Sequence, residues 1–140
     1  MNGWSTWIGI DEAAKKAGGF EDYGIYQVRI VDLTGEARPI HRLVGVDPSG
    51  LIYIGRSGFR STGNGRTVAN RTREWLAIWH PGAALYDKSK SMLGDHRVEV
   101  RALFLPDDRI VAVESEEIIN YRTSHGELPP FNSVDPGRWD

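Results

Sequence analysis

Tyr23-Gly24-Ile25-Tyr26 opens an apolar run and Leu51-Ile52-Tyr53-Ile54-Gly55-Arg56 closes one, and between them lies the stretch that decides the fold. Ile25, Val28, Ile30 and Val31 surround Tyr26 in a β-branched series of the kind that packs on a pleated surface, and Leu51–Ile54 is another. Asp47-Pro48-Ser49-Gly50 has proline and glycine placed for a tight turn. Arg42–Val46 is therefore expected as a strand of its own, forming a hairpin with Leu51–Gly55.

Residues 1–21 read as a helical extension. Trp4 and Trp7 precede Asp11-Glu12-Ala13-Ala14-Lys15-Lys16-Ala17, a short capped helix stopped by Gly18-Gly19 and expected to pack on the sheet. The tryptophans either join that packing or contact a partner or nucleic-acid bases. After the strands, Ser57–Gly65 is a glycine-bearing loop, equally a phosphate-approaching backbone or a solvated connector. It lacks the lysine-serine/threonine ending of a P-loop. Arg66–His80 is helical, with Val68, Arg71, Trp75 and Trp79 near one stripe, and Pro81-Gly82 ends it. Ala83–Leu93 is a second helix of weaker pattern. Val98, Val100, Ala102 and Phe104 alternate with Glu99, Arg101 and Leu103 as a strand, which Pro106-Asp107-Asp108 breaks. Arg109–Ser124 is a helix whose apolar set is Ile110, Val111, Val113, Ile118, Ile119 and Tyr121, and residues 133–140 form a tail ordered only where it packs back.

With 140 residues and no cysteine, the chain reads as one domain without a disulfide framework or thiolate zinc site. No apolar run approaches membrane-spanning length and no signal pattern opens the chain, so a soluble cytoplasmic protein with no membrane partner is expected. A net charge of −2 argues against coating nucleic acid through overall charge. Charge is nevertheless polarised, because Arg56, Arg60, Arg66, Arg71 and Arg73 follow one another with no acidic residue between them.

Gly24-Ile25-Tyr26 and Tyr53-Ile54-Gly55, in this order and followed by an arginine-bearing helical stretch, a strand, a glutamate-bearing helix and a late asparagine, resemble the motifs of the GIY-YIG nuclease superfamily over residues 23–132. The resemblance implies an α+β fold, a small mixed and mainly antiparallel sheet flanked by helices, and a metal-dependent endonuclease site for DNA. It implies Tyr26 as the residue that deprotonates the attacking water, with Tyr53 assisting. A phenol titrating near 10 is a poor base at neutral pH, so nearby arginines are expected to lower it. For the phosphate-binding arginine, the family position about ten residues past the tyrosine holds Gly63 here. Arg71 is preferred because it shares a stripe with Val68 and Trp75, with Arg66 as fallback. Trp75 stands where many members carry histidine or tyrosine, and it cannot move a proton. Glu114, four residues before Ile118 and seven before Tyr121, matches the metal ligand, and a single carboxylate with waters suits Mg²⁺, with Mn²⁺ substituting. Asn132 matches the asparagine that ends the motif, expected to tie the tail backbone to the site. Arg56, Arg60, Arg66, Arg73, Lys88 and Lys90 are candidates for further DNA contacts, against an ordinary solvated role for each.

The resemblance also sets a geometric condition. In a plain meander Tyr26 and Tyr53 lie at opposite ends of parallel strands. They meet if the strand of Tyr53 is central and antiparallel to both neighbours. Asp32–Pro39 is then expected to be a crossover rather than a tight turn. A catalytically inactive nucleic-acid-binding module of the same fold is the competing expectation. Sequence specificity would come from the Ser57–Gly65 loop, a separate partner, or a homodimer reading two half-sites.

Overall fold

A computed structural model describes residues 3–15, 19–63, 66–77 and 81–132. The fold is α+β, with a four-stranded antiparallel sheet, a separate two-stranded sheet and four helices among the described residues. The strands are β1 (Ile8–Gly9), β2 (Gly24–Val31), β3 (Ile40–His41), β4 (Val46–Asp47), β5 (Leu51–Arg56) and β6 (Arg97–Phe104). The helices are α1 (Ile10–Ala14), α2 (Val68–Leu76), α3 (Pro81–Leu93) and α4 (Asp107–His125).

The main sheet runs β1-β6-β2-β5. The strand of Tyr26 is therefore central, and the strand of Tyr53 is an edge, the reverse of the expected order. Two local structures cause this. Asp32 accepts hydrogen bonds from the backbone N–H groups of Thr34 at 2.8 Å and Glu36 at 3.1 Å, and Val31 bridges Ala37. Asp32–Ala37 is thus a tight turn closed by an aspartate side chain, not a crossover. Next, β3 and β4 pair with each other, Ile40 opposite Asp47, in a sheet of their own. The expected hairpin between Arg42–Val46 and Leu51–Gly55 does not form, and β5 returns directly beside β2. The condition on the tyrosines is still met, since Tyr26 lies opposite Gly55 and Val28 opposite Tyr53.

A register shift between Val28 and Arg29 leaves Ile52 without a cross-strand partner. This bulge breaks the two-residue alternation of β5. Ile52 joins Tyr26, Val28 and Ile30 in a core with Val68, Ala69 and Trp75 of α2 and Ile10 and Ala13 of α1, against which Tyr53 packs. Leu51 and Ile54 face the other way, onto Ile118 and Tyr121 of α4. The sheet is covered on both faces, which is why β2 reads as a nearly continuous apolar run.

Residues before β2 do more than extend the domain: β1 pairs with β6, Ile8 opposite Val100. The Gly9 N-cap of α1 makes no side-chain cap bond, unlike the capped helix expected. The indoles of Trp4 and Trp7 stack on arginines, with the Arg101 guanidinium 4.5 and 4.8 Å from them and Arg29 4.2 Å from Trp7. On α4, Ile110, Ile118 and Tyr121 are buried, while Val111 and Ile119 of the expected apolar set are exposed. Ile78, Trp79 and His80, Gly65, residues 16–18 and the tail 133–140 lie outside the described residues.

Candidate functional site

The start of β2 and the end of β5 sit side by side, Ile25 opposite Arg56, with α2 over one face of the sheet and α4 over the other. Between them opens a cleft of about 480 Å³ lined by Tyr53, Arg56, Ser57, Gly58, Phe59, Thr62, Arg66, Arg71 and Glu114. Behind it Tyr26 is fully buried, its ring centroid 6.0 Å from that of Tyr53. Gly55 makes this possible. A Cβ there would stand 2.6 Å from the Tyr26 ring, 2.6 Å from the Tyr53 ring and 2.7 Å from the Tyr26 hydroxyl. Gly24 is equally constrained, because a Cβ would run into the Leu103 carbonyl of β6. The glycine beside each tyrosine is thus a packing requirement.

The Tyr26 hydroxyl and the Arg71 Nε are both buried without a partner in ordinary hydrogen-bond geometry. Burial pushes the Tyr26 phenol up to about 12, a rise that Arg71 opposes and Glu114 reinforces. Arginine was expected to lower this phenol. Desolvation outweighs it. Burial also raises the Tyr53 phenol, with Tyr26 and Glu114 adding to the effect. Arg71 is held by Glu74, at 3.0 and 3.2 Å from Nη1, and its pKa is raised: Tyr26, Glu74 and Tyr53 overcome the opposing effect of burial.

Glu114 comes from α4, one turn beyond Ile110 and one before Ile118, so the stripe that seats the helix also aims this carboxylate at the cleft. Its side chain is 20% exposed and lies 3.8 Å from Arg56 Nε. Burial lifts its carboxyl to about 7 despite Arg56 and Arg71. Asn132 is not in the cleft. Its amide accepts the Ile54 N–H at 2.9 Å and donates to the Ile54 carbonyl at 2.9 Å, while Phe131 N–H donates to Ile52 at 2.9 Å. Phe131 and Asn132 thereby pair the outer edge of β5 as a further strand would.

Of the remaining candidates, Arg56 and Arg66 line the cleft. Arg60 points away, bonding the Leu105 carbonyl at 2.6 Å and Asp22 at 2.5 Å. Arg73 bonds the Asn70 side chain within α2. Lys90 pairs with Asp87 at 2.7 Å, and neither it nor Lys88 reaches the cleft lining. Ser57 and Phe59 lie in the loop expected to approach phosphate or set specificity, but the sequence singles out neither, nor Glu74. Ser57 is buried and its Oγ accepts the Gly24 N–H at 2.9 Å. The three-residue spacing of Arg71 and Glu74 on one helix was the available signal for that pair.

The chain matches no protein-family model, no curated protein and no solved structure. Glu114 is the only carboxylate among the described residues lining the cleft, and no group of three or more histidine, cysteine or acidic residues placed to hold a metal ion occurs among the described residues. One carboxylate with phenolic oxygen nearby is a hard-oxygen donor set. It fits a cation that keeps most of its water, such as Mg²⁺. The described residues contain no helix long and apolar enough to cross a membrane.

Proposed function

We propose that this cleft is the catalytic centre of a Mg²⁺-dependent endonuclease of GIY-YIG type, hydrolysing phosphodiester bonds in DNA. The observation that carries the proposal is the convergence of Tyr53, Arg71 and Glu114, from β5, α2 and α4, on one cleft with Tyr26 directly behind it. Those residues are far apart in sequence and supply the groups that phosphodiester hydrolysis needs: water positioning, phosphoryl charge neutralisation and an oxygen donor for a cation.

Arg71 clamps the scissile phosphate, its planar fork oriented by Glu74 and suited to two phosphoryl oxygens. Arg56 and Arg66 extend positive charge along the bound backbone. Glu114 is the cation ligand for Mg²⁺ or Mn²⁺, and when bound the cation supplies Lewis-acid shielding of the charge that develops on the phosphoryl group. With its pKa at about 12, Tyr26 enters the reaction as a neutral phenol; buried behind the cleft lining, it bears on the attacking water through Arg71 and Tyr53, and the water's proton leaves to the solvent that fills the open cleft. Neutralising the Glu114 charge removes one of the influences that keep this phenol protonated. Tyr53 packs over the same glycine and fixes the ring position. Asn132 holds the edge of β5, and hence Tyr53 and Gly55, in place.

The competing reading is a DNA-binding module without activity. It is favoured by the burial that keeps Tyr26 protonated and by Trp75, which stands where the resemblance would put a second proton carrier. A nicking assay on supercoiled plasmid separates the two. The nuclease reading expects cleavage that needs Mg²⁺ and is lost in Tyr26→Phe and Glu114→Ala. Cleavage untouched by both substitutions, or DNA binding with no cleavage in any divalent cation, would overturn it.

A further inference from the structure

We infer that Phe59 stacks on an unpaired base next to the scissile phosphate, so that the cleft selects unpaired or distorted positions in DNA over continuous duplex. The inference rests on the nuclease reading above and deepens it. The Phe59 ring lines the cleft together with Arg56, Arg66 and Arg71, and the Arg56 guanidinium lies 5.2 Å from its centroid. Among the described residues Phe59 belongs to neither hydrophobic cluster, and it is only half-buried. A phenylalanine kept out of the core and set among guanidinium groups is the arrangement that single-strand recognition uses. Positive charge tracks the backbone and the ring takes a base, whatever its identity.

Its position is fixed from both sides. Upstream, the Ser57 N–H donates to the Gly24 carbonyl at 2.9 Å and its Oγ accepts the Gly24 N–H at 2.9 Å. Downstream, the Arg60 and Ser61 N–H groups donate to the two carboxylate oxygens of Asp107, each at 2.9 Å. The Arg60 side chain adds its bonds to Leu105 and Asp22. The wall carrying Phe59 is thereby tied to β2 and to the start of α4, so little ordering remains to be done when a base arrives. The cleft volume of about 480 Å³ is the size of a small-ligand site. It has room for a nucleotide-sized group.

The test compares three oligonucleotide substrates of one sequence: a perfect duplex, the same duplex with one unpaired nucleotide at the cleavage position, and the same with an abasic residue there. Binding is measured by fluorescence anisotropy in chelator and cleavage is measured in Mg²⁺. The wild type should bind the unpaired nucleotide about tenfold tighter than the duplex, the scale of one stacked base, and the abasic residue should erase that gain. Phe59→Ala should erase it too, leaving duplex and abasic affinities within about twofold of wild type. Phe59→Trp should keep it. Thermal melts confirm that the variants fold. An absence of preference in the wild type, or a Phe59→Ala variant that weakens all three substrates alike, overturns the inference. Base-dependent binding without cleavage would retire the nuclease reading while supporting the stacking role.

Discussion

Replacing Glu114 by glutamine should make the metal-free protein more stable, and more so as pH rises. In the folded chain the carboxyl titrates at about 7, against an ordinary 4.5. The folded state therefore holds this proton more tightly than the unfolded one. Stability falls with pH between those two values, because the native state binds more protons there. Below about 4.5 both states are protonated and there is no penalty. Above about 7 the penalty is complete. At about 1.4 kcal/mol per pH unit, a rise from 4.5 to about 7 is worth at most roughly 3 kcal/mol. The partial exposure of the side chain reduces that to about 1–3 kcal/mol.

The measurement is urea or thermal unfolding of wild type and Glu114→Gln in chelator, at several pH values from about 4 to about 8. The variant should match the wild type at the acid end. It should gain about 1–3 kcal/mol at the alkaline end, or roughly 3–10 °C in Tm for a domain of this size. It should also lose Mg²⁺-dependent nicking, the usual exchange of stability against function at a working residue. A variant no more stable than wild type at about pH 8, or a difference that does not grow with pH, would refute the reasoning. It would show that Arg56 and Arg71 already hold this carboxylate ionised.

Three further outcomes follow from the geometry. Tyr26→Phe removes a buried hydroxyl that has no well-formed partner, so unfolding should show it as stable as wild type or up to about 2 kcal/mol more so, with nicking abolished. Gly55→Ala drives a methyl to 2.6 Å from both tyrosine rings; it should cost about 1–3 kcal/mol by overpacking and lower nicking by displacing Tyr53, as urea melts and rate measurements would show. Asn132→Ala leaves the Ile54 N–H and carbonyl without their 2.9 Å partners. A loss of about 1–3 kcal/mol is expected, together with faster hydrogen exchange at Ile54.

What could be read along the chain was whatever depends on near neighbours. The spacing of Ile110, Ile118 and Tyr121 seats α4 on the sheet, and Glu114 on the same stripe follows, because helical periodicity fixes direction as well as burial. The β-branched run around Tyr26 marks β2 for the same reason. Strand order was not legible in this way. Whether β5 lies centrally or at an edge depends on a side-chain bond from Asp32 that tightens one turn, and on β3 and β4 preferring each other. Both are decided by competition between alternatives of similar local quality. The ion pairs of the basic stretch were illegible for a related reason. Its arginines have no acidic neighbour between them in sequence, yet Arg60 is claimed by Asp22 and Asp107, and Arg66 and Arg71 share Glu74.

The largest departure concerns the phenol, and it follows from two effects of opposite sign. A sequence that places arginines near Tyr26 suggests a lowered pKa, since an opposite charge stabilises phenolate. The packing that brings Arg71 close also removes water from the ring, and transfer of a charge out of water outweighs a neighbour that is itself shared with Glu74. The same desolvation acts on Glu114. Both groups are thus held toward their neutral forms by burial, and only positive charge entering the cleft would oppose that hold. A divalent cation bound at Glu114 should therefore lower both pKa values, whereas a phosphate alone should raise them.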